Sequence, residues 1–209
     1  MNYKNGDVFE GDYVENKKEG NGHMAYVNGE DYKGEWKDDF KNGFGVFRAY
    51  GGDLYEGEFK NNKMCGKGTM HYANGDVYEG EFAENAKYGK GVYKFKTGQL
   101  YEGHYKYNMM SGMGKMTSPN GEVYEGEFEN NKAHGCGKYV YLNGDVYNGD
   151  WFDAVRHGNG IYRFANGDIY DGEWRNNMRN GKGIFRCGVG LTIYKGNWKD
   201  DKRAPSWFG

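Results

Sequence analysis

Apolar residues along this chain recur in a tight alternating pattern. Tyr55-x-Gly57-x-Phe59, Tyr78-x-Gly80-x-Phe82 and Tyr101-x-Gly103-x-Tyr105 each place a glycine between two aromatic residues, with mostly charged residues in the gaps. A period of two puts ring, glycine and ring on one side of an extended strand and the charges on the other. Further on in each stretch comes Gly-x-Gly-x-aromatic, as in Gly89-x-Gly91-x-Tyr93 and Gly181-x-Gly183-x-Phe185. It has the same period and predicts a second strand. Rings of one strand can then cover the bare glycines of the next, which is how glycine-rich sheets are held together. Turn formers separate the strands: Asn61-Asn62, Asn130-Asn131 or Asn176-Asn177 at one end, and Asn28-Gly29, Asn74-Gly75, Asn120-Gly121, Asn143-Gly144 or Asn166-Gly167 at the other. Asn-Gly is expected to supply the positive φ values of a tight hairpin turn.

The pattern is a repeat of 23 residues. Units begin at Phe9, Tyr32, Tyr55, Tyr78, Tyr101, Tyr124, Tyr147 and Tyr170, and the last begins at Tyr194 after an interval of 24. The predicted fold is all-β: an elongated, single-layer antiparallel meander of hairpins, one array over residues 1–209. At two strands per unit the advance is roughly 9.6 Å, giving an expected rod of roughly 80–90 Å. Residues 1–8 read as the tail of a preceding unit, because Tyr3-Lys4-Asn5-Gly6 parallels Tyr26-Val27-Asn28-Gly29. That start suggests either a piece of a longer array or a first hairpin trimmed by nature.

Composition supports this. Among 209 residues there are 20 Tyr, 12 Phe, 5 Trp and 37 Gly, while Leu occurs only at 54, 100, 142 and 191. The apolar interior must therefore be aromatic, unlike an ordinary Leu/Ile/Val core. A formal net charge of -2 makes nucleic acid an unexpected partner. The first residues lack the apolar stretch of a signal peptide, and no apolar run approaches ~20 residues. Cys65, Cys136 and Cys187 are few, odd in number and far apart, which suits the reducing cytoplasm.

Tyr-Glu-Gly-Glu-Phe followed by Gly-Lys-Gly and Tyr-Ala-Asn-Gly-Asp-Val-Tyr, clearest from Tyr55 to Tyr78, resembles the MORN repeat (membrane occupation and recognition nexus). The resemblance runs along essentially the whole chain. Asn or Asp at residues 16, 39, 62 and 131 replaces the glycine many members carry in the first turn, and the last unit lacks its second strand motif. The resemblance implies a scaffold similar to the MORN-only proteins of protist cytoskeletons, associated with the cell cortex or cell division.

No enzyme is expected. Serine stands only at 111, 118 and 206, outside any nucleophile elbow, and Gly-x-Gly never extends to a dinucleotide fingerprint. Glu56, Glu58, Glu79, Glu81, Glu125 and Glu127 read as a solvated outer face. Four candidate sites remain. His134 and His157 share a register position in adjacent units, and Cys136 lies two residues past His134; the three could converge on a structural zinc ion. Tyr55, Phe59, Tyr78, Phe82, Tyr101, Tyr105, Tyr124, Phe128, Tyr147 and Trp151 are expected to line an aromatic groove, since one sheet cannot bury both its faces. Tyr194, Trp198, Trp207 and Phe208 are candidates for a homodimer contact. Arg175, Arg179, Lys182 and Arg186 form a basic run that could meet anionic lipid. The functional expectation is a self-associating scaffold whose partners are a second copy and cytoskeletal or cortical proteins. The alternatives are a phosphoinositide-binding membrane tether and a monomeric adaptor holding a peptide in the groove.

Overall fold

The computed structural model describes residues 1–204, and every regular element among them is a strand. The chain forms two compact units, Met1–Asn108 and Met109–Gly209. The first contains β1 (Val8–Val14), β2 (Lys17–Ala25), β3 (Asp31–Lys37), β4 (Phe40–Arg48), β5 (Leu54–Lys60), β6 (Lys63–His71), β7 (Val77–Ala83), β8 (Ala86–Lys94) and β9 (Leu100–Lys106). The second contains β10 (Met109–Thr117), β11 (Val123–Glu129), β12 (Lys132–Val140), β13 (Val146–Phe152), β14 (Val155–Arg163), β15 (Ile169–Arg175), β16 (Met178–Arg186), β17 (Thr192–Lys199) and the short β18 (Lys202–Arg203). Within each unit every strand pairs antiparallel with the next, the meander the repeat predicts.

Pairing brings glycine opposite glycine. Gly57 faces Gly68 across β5 and β6, and Gly149 faces Gly160 across β13 and β14. The ring two residues earlier lies flat over the pair. A Cβ on Gly57 would stand 2.5 Å from the Tyr55 hydroxyl and 2.6 Å from the Cα of Gly68. The hydroxyl of Tyr55 donates to the carbonyl of Glu58 at 3.0 Å, and that of Tyr147 to Asp150 at 2.9 Å, so a phenol buried as part of the core still has its partner. Each tyrosine meets the second ring of its own repeat and that of the next edge-on: Tyr55 with Phe59 and Phe82 at 5.1 and 5.0 Å, Tyr147 with Trp151 and Trp174 at 5.2 and 5.3 Å. Edge-to-face contact is favoured by the ring quadrupole, at about 0.5–1.5 kcal/mol per pair beyond burial. The core of each unit is this aromatic ladder on one face, called here the ring face.

The two turns differ from the sequence expectation. The two-residue turns with positive φ at both positions are the Asn-Asn type: Asn61 and Asn62 have φ 48° and 67°, and Asn176 and Asn177 have 50° and 69°. At Asn74-Gly75 only the glycine is left-handed, with φ 94°. There the Gly75 amide donates to the Tyr72 carbonyl and the Tyr72 amide to Asp76, a three-residue loop closed by a glycine bulge. Both loops also reach the neighbouring repeat. The Asn62 side chain accepts from the Lys41 amide at 2.8 Å, and the Asp76 carboxylate from the Lys96 amide at 2.7 Å. One turn breaks the pattern: Ala154 holds φ 66° with no side-chain acceptor to offer, and only its own amide bonds back, to the Ala133 carbonyl.

Candidate interaction surface

The ten residues expected to line an open groove form the closed core instead: Tyr55, Phe59, Tyr78, Phe82, Tyr101, Tyr105, Tyr124, Phe128, Tyr147 and Trp151 are all at most 8% exposed. The glycine pairs let the rings lie down and stack edge-on, so they consume one another's surface. Trp198 is likewise buried, against Tyr170 at 5.3 Å and with its indole N–H directed at the Gly183 carbonyl. It closes its own unit and offers little surface to a second chain. Tyr194 stands beside it, half-buried, its ring centroid 5.3 Å away. Trp207 and Phe208, the other expected dimer residues, lie outside the described residues.

A second row of rings occupies the same face nearer the Asn-Gly loops. In the second unit Tyr139 lies 4.5 Å from Tyr141, Tyr141 lies 5.6 Å from Tyr162, and Tyr162 lies 4.7 Å from Phe164, all half-buried. In the first unit Tyr72, Tyr93 and Phe95 repeat the arrangement. Carboxylates hold the phenols: Tyr162 donates to Asp145 at 2.6 Å and Tyr139 to Glu122 at 3.1 Å. Burial and the Glu122 partner push the Tyr139 hydroxyl up to about 12. Burial opposes the charge of Asp145, but bonds from Tyr162, the Ala165 amide and Asn143 outweigh it and hold the carboxyl low. Gly-x-Gly-x-aromatic announces Tyr93, Tyr139 and Tyr162 of this row, but Tyr72, Phe95, Tyr141 and Phe164 stand past the ends of the strands, where that signature has already stopped.

Cations complete the face. One register position, across the strand pair from the second core ring, carries Lys18, Lys41, Lys87, Arg156 and Arg179. The Lys41 ammonium sits 4.2 Å from the Phe47 ring centroid and 4.9 Å from that of Tyr32, and burial there pulls it down to about 8, against the pull of Glu30. The Arg156 guanidinium lies 4.5 Å from Trp174 and 5.2 Å from Tyr162 and donates to the Asn177 carbonyl at 2.8 Å.

The opposite, polar face carries the remaining candidates. His134 and His157 both lean on the Phe152 ring, at 5.2 and 6.0 Å between centroids; His134 also faces Glu129, and the Cys136 thiol lies 3.8 Å from Asp150. Among the described residues no three His, Cys, Asp or Glu side chains are grouped as a metal site would need. The basic run is split. Strand alternation puts Arg175, Lys182 and Arg186 on the polar face, Arg186 within 3.8 Å of Asp171. Arg179 turns to the ring face, where it covers Trp198 at 4.3 Å and pairs with Asp201. The acidic residues are more than a solvated fringe. Glu58 accepts from the Lys67 amide at 2.9 Å and Glu127 from the Cys136 amide at 3.0 Å, each filling the space over a left-handed glycine at the bulge. No helix among the described residues is long and apolar enough to cross a membrane.

The comparisons with known proteins follow the strands. The family model for the MORN repeat matches residues 9–30, 32–54, 55–77, 78–100, 101–123, 124–146, 147–169, 170–192 and 194–204. Comparison with curated proteins gave no match. Among solved structures, the chain is similar to the TCP domain of Drosophila melanogaster SAS-4 (dCPAP), solved with a proline-rich motif of Ana2. The identity is 14%, over 85% of this chain and 90% of that one, with a TM-score of 0.48. It is also similar to the wild-type TCP10 domain of Danio rerio CPAP, at 10% identity over 95% and 99% of the two chains and again a TM-score of 0.48.

Proposed function

The chain belongs to the MORN repeat family, and from that premise we propose that it is a protein-docking scaffold of the cytoskeletal kind whose contact surface is the outer row of rings. The single observation behind this is the division of labour on the ring face. The inner rings are closed and hold the strands, while Tyr141, Phe164 and their neighbours stay half-exposed on a rigid base. Aromatic side chains of that kind bring much contact area with little rotamer entropy to lose. The partners are a second copy of the chain and proteins of the cell cortex. The basic run gives a lipid tether less support than the sequence suggested, since Arg179 pairs with Asp201 on the ring face and Arg186 lies within 3.8 Å of Asp171 on the polar face.

The test is solution mass by light scattering for the natural chain and for a Tyr141→Ser/Phe164→Ser variant. A mass near twice 23.9 kDa that falls to one chain in the variant supports self-docking through the rings. A single-chain mass in both turns the surface toward a different protein. A doubled mass in both removes the ring row from the contact.

A further inference from the structure

The repeat makes the core-facing position opposite the second ring equivalent from unit to unit, and its occupants can be compared. Lys41, Lys87, Arg156 and Arg179 each lay a cation over two or more rings. Met64 stands at the same position where the row carries Met70 in place of a ring. Ala133 is different: its repeat keeps every ring and loses the cation. Tyr124, Tyr139 and Trp151 are disposed as Tyr147, Tyr162 and Trp174 are around Arg156. Tyr124 meets Trp151 at 5.2 Å and 83°, against 5.3 Å and 81° for Tyr147 and Trp174. Tyr139 meets Trp151 at 6.0 Å and 38°, against 5.9 Å and 35° for Tyr162 and Trp174. Among the described residues no Lys or Arg lies over these three rings.

Two further parts of the site are in place. In both arginine repeats the guanidinium donates to the backbone carbonyl of the next turn, Asn177 at 2.8 Å and Asp201 at 2.9 Å. The equivalent carbonyl here belongs to Ala154, an exposed residue whose amide holds the same back-bond to Ala133. A carboxylate, Glu122, bonds the Tyr139 hydroxyl as Asp145 bonds that of Tyr162 beside Arg156. The inner rings stay buried without a cation, Tyr124 at 5% and Trp151 at 8% exposed, while Ala133 and Tyr139 are half-buried and Ala154 is exposed, so the uncovered surface lies over Ala133 and Tyr139.

We propose that the surface over Ala133 is a binding site for an arginine side chain supplied by a partner protein, its guanidinium stacking on the half-buried Tyr139 ring beside the edge of Trp151 and donating to the Ala154 carbonyl. The planar fork suits a guanidinium better than an ammonium, because it can stack and donate at once. The inference rests on the protein-docking reading and names the chemistry its partner must present. Self-association and arginine capture are nonetheless measured separately, so either can fail alone.

The experiment follows the indole N–H resonances of the whole chain by NMR during titration with N-acetyl-arginine methylamide, and in parallel with the neutral citrulline analogue. The expected result is a saturable shift at Trp151 in roughly the millimolar range, with citrulline about tenfold weaker and Trp174, already covered by Arg156, unmoved. Ala133→Arg should silence Trp151 by covering that surface from within. Arg156→Ala, which leaves Ala133 untouched, should make Trp174 respond, and it serves as the test if Ala133→Arg does not fold. Equal response to arginine and citrulline, a Trp151 shift that survives in folded Ala133→Arg, or equal movement of Trp151 and Trp174 in the natural chain overturns the proposal.

Discussion

Lys41 in the first unit and Arg156 in the second occupy the same place in the repeat and solve the same problem differently. Each stands over aromatic rings that the strands have half-covered. The ammonium of Lys41 is a compact charge that gives up hydration on entering the cage, and burial brings it down to about 8. A guanidinium keeps its charge across the working pH range of proteins, and that of Arg156 lies 4.5 Å from the Trp174 ring centroid and still reaches a backbone acceptor at 2.8 Å. Its Nε has no protein acceptor, whereas Arg179 spends that group on Asp201 at 3.0 Å. The core rings do not divide in the same way. The second ring of the repeat is Trp36, Phe59, Phe82 or Tyr105 in the first unit and Phe128, Trp151, Trp174 or Trp198 in the second. The lesson is that one backbone pattern tolerates a titratable lid or a permanent one, and that an indole stands under either: Lys18 lies 5.0 Å from the Trp36 ring and Arg156 4.5 Å from that of Trp174.

The largest effect should be common to both units and so mark where the comparison stops. Gly57→Ala and Gly149→Ala each place a methyl within 2.7 Å of a facing Cα and a tyrosine hydroxyl. Each should cost roughly 3 kcal/mol or more in urea unfolding. A marked difference between the two would mean the glycine pairs are not equivalent. Next in size, Arg156→Ala should cost about 1–2 kcal/mol through lost stacking and the lost carbonyl bond, and Lys41→Ala less than about 1 kcal/mol. Equal losses would erase the distinction drawn between the two lids. Ala154→Asn should stabilise by about 1 kcal/mol, because asparagine tolerates the left-handed turn and restores an acceptor for the Ala133 amide, as Asn62 serves Lys41. No gain in thermal midpoint would show that turn to be already relaxed.

The smallest effect is a pH dependence confined to the lysine lid. The folded value of Lys41, about 8, lies below its ordinary 10.5. Between those values the unfolded chain binds more protons than the folded one, so the contribution of Lys41 to stability rises with pH. The cost of burying the cation is fully present below pH 8. Tyrosines such as Tyr32, whose hydroxyls burial pushes up, work in the opposite direction above pH 10. Stability measured from pH 8 to 10 should therefore climb in the natural chain and climb less in Lys41→Met, where Lys87, also pulled down by burial, carries the rest, with Arg156→Met keeping the slope. A slope that Lys41→Met leaves intact assigns it to another group.

Much of the fold was legible because rings and glycines sit at fixed offsets. Tyr55, Gly57 and Phe59 announce a strand face, and eight further copies announce the meander. What was misread followed from arguing about one strand at a time. The rings from Tyr55 to Trp151 looked available until Gly57 met Gly68 and the rings could lie flat and cover one another. Asn74-Gly75 has the composition of a two-residue turn, but Tyr72 pairs with Asp76 across three residues, so only the glycine turns left-handed. Arg179 belongs to a basic run in sequence and to the ring face in space, since strand alternation separates it from Arg175 and Lys182. Glu58 looked solvated because the bulge whose amide it accepts is a property of two strands together. The position at Ala133 is a pattern with one member missing, visible only after the rule it breaks has been seen in the other repeats.

The meander has a mechanical consequence. Tension applied across the strands of one unit loads the bonds between neighbouring strands a pair at a time, as in opening a zipper, rather than shearing a whole sheet at once. Each hairpin released lengthens the chain by one repeat of 23 residues, about 76–83 Å of extended chain at ~3.3–3.6 Å per residue. The aromatic ladder of the remaining hairpins is untouched by the loss of an outer one. Under pull such a unit yields in small equal steps and can rewind by the same steps, the behaviour of an extensible tether rather than of a brittle strut.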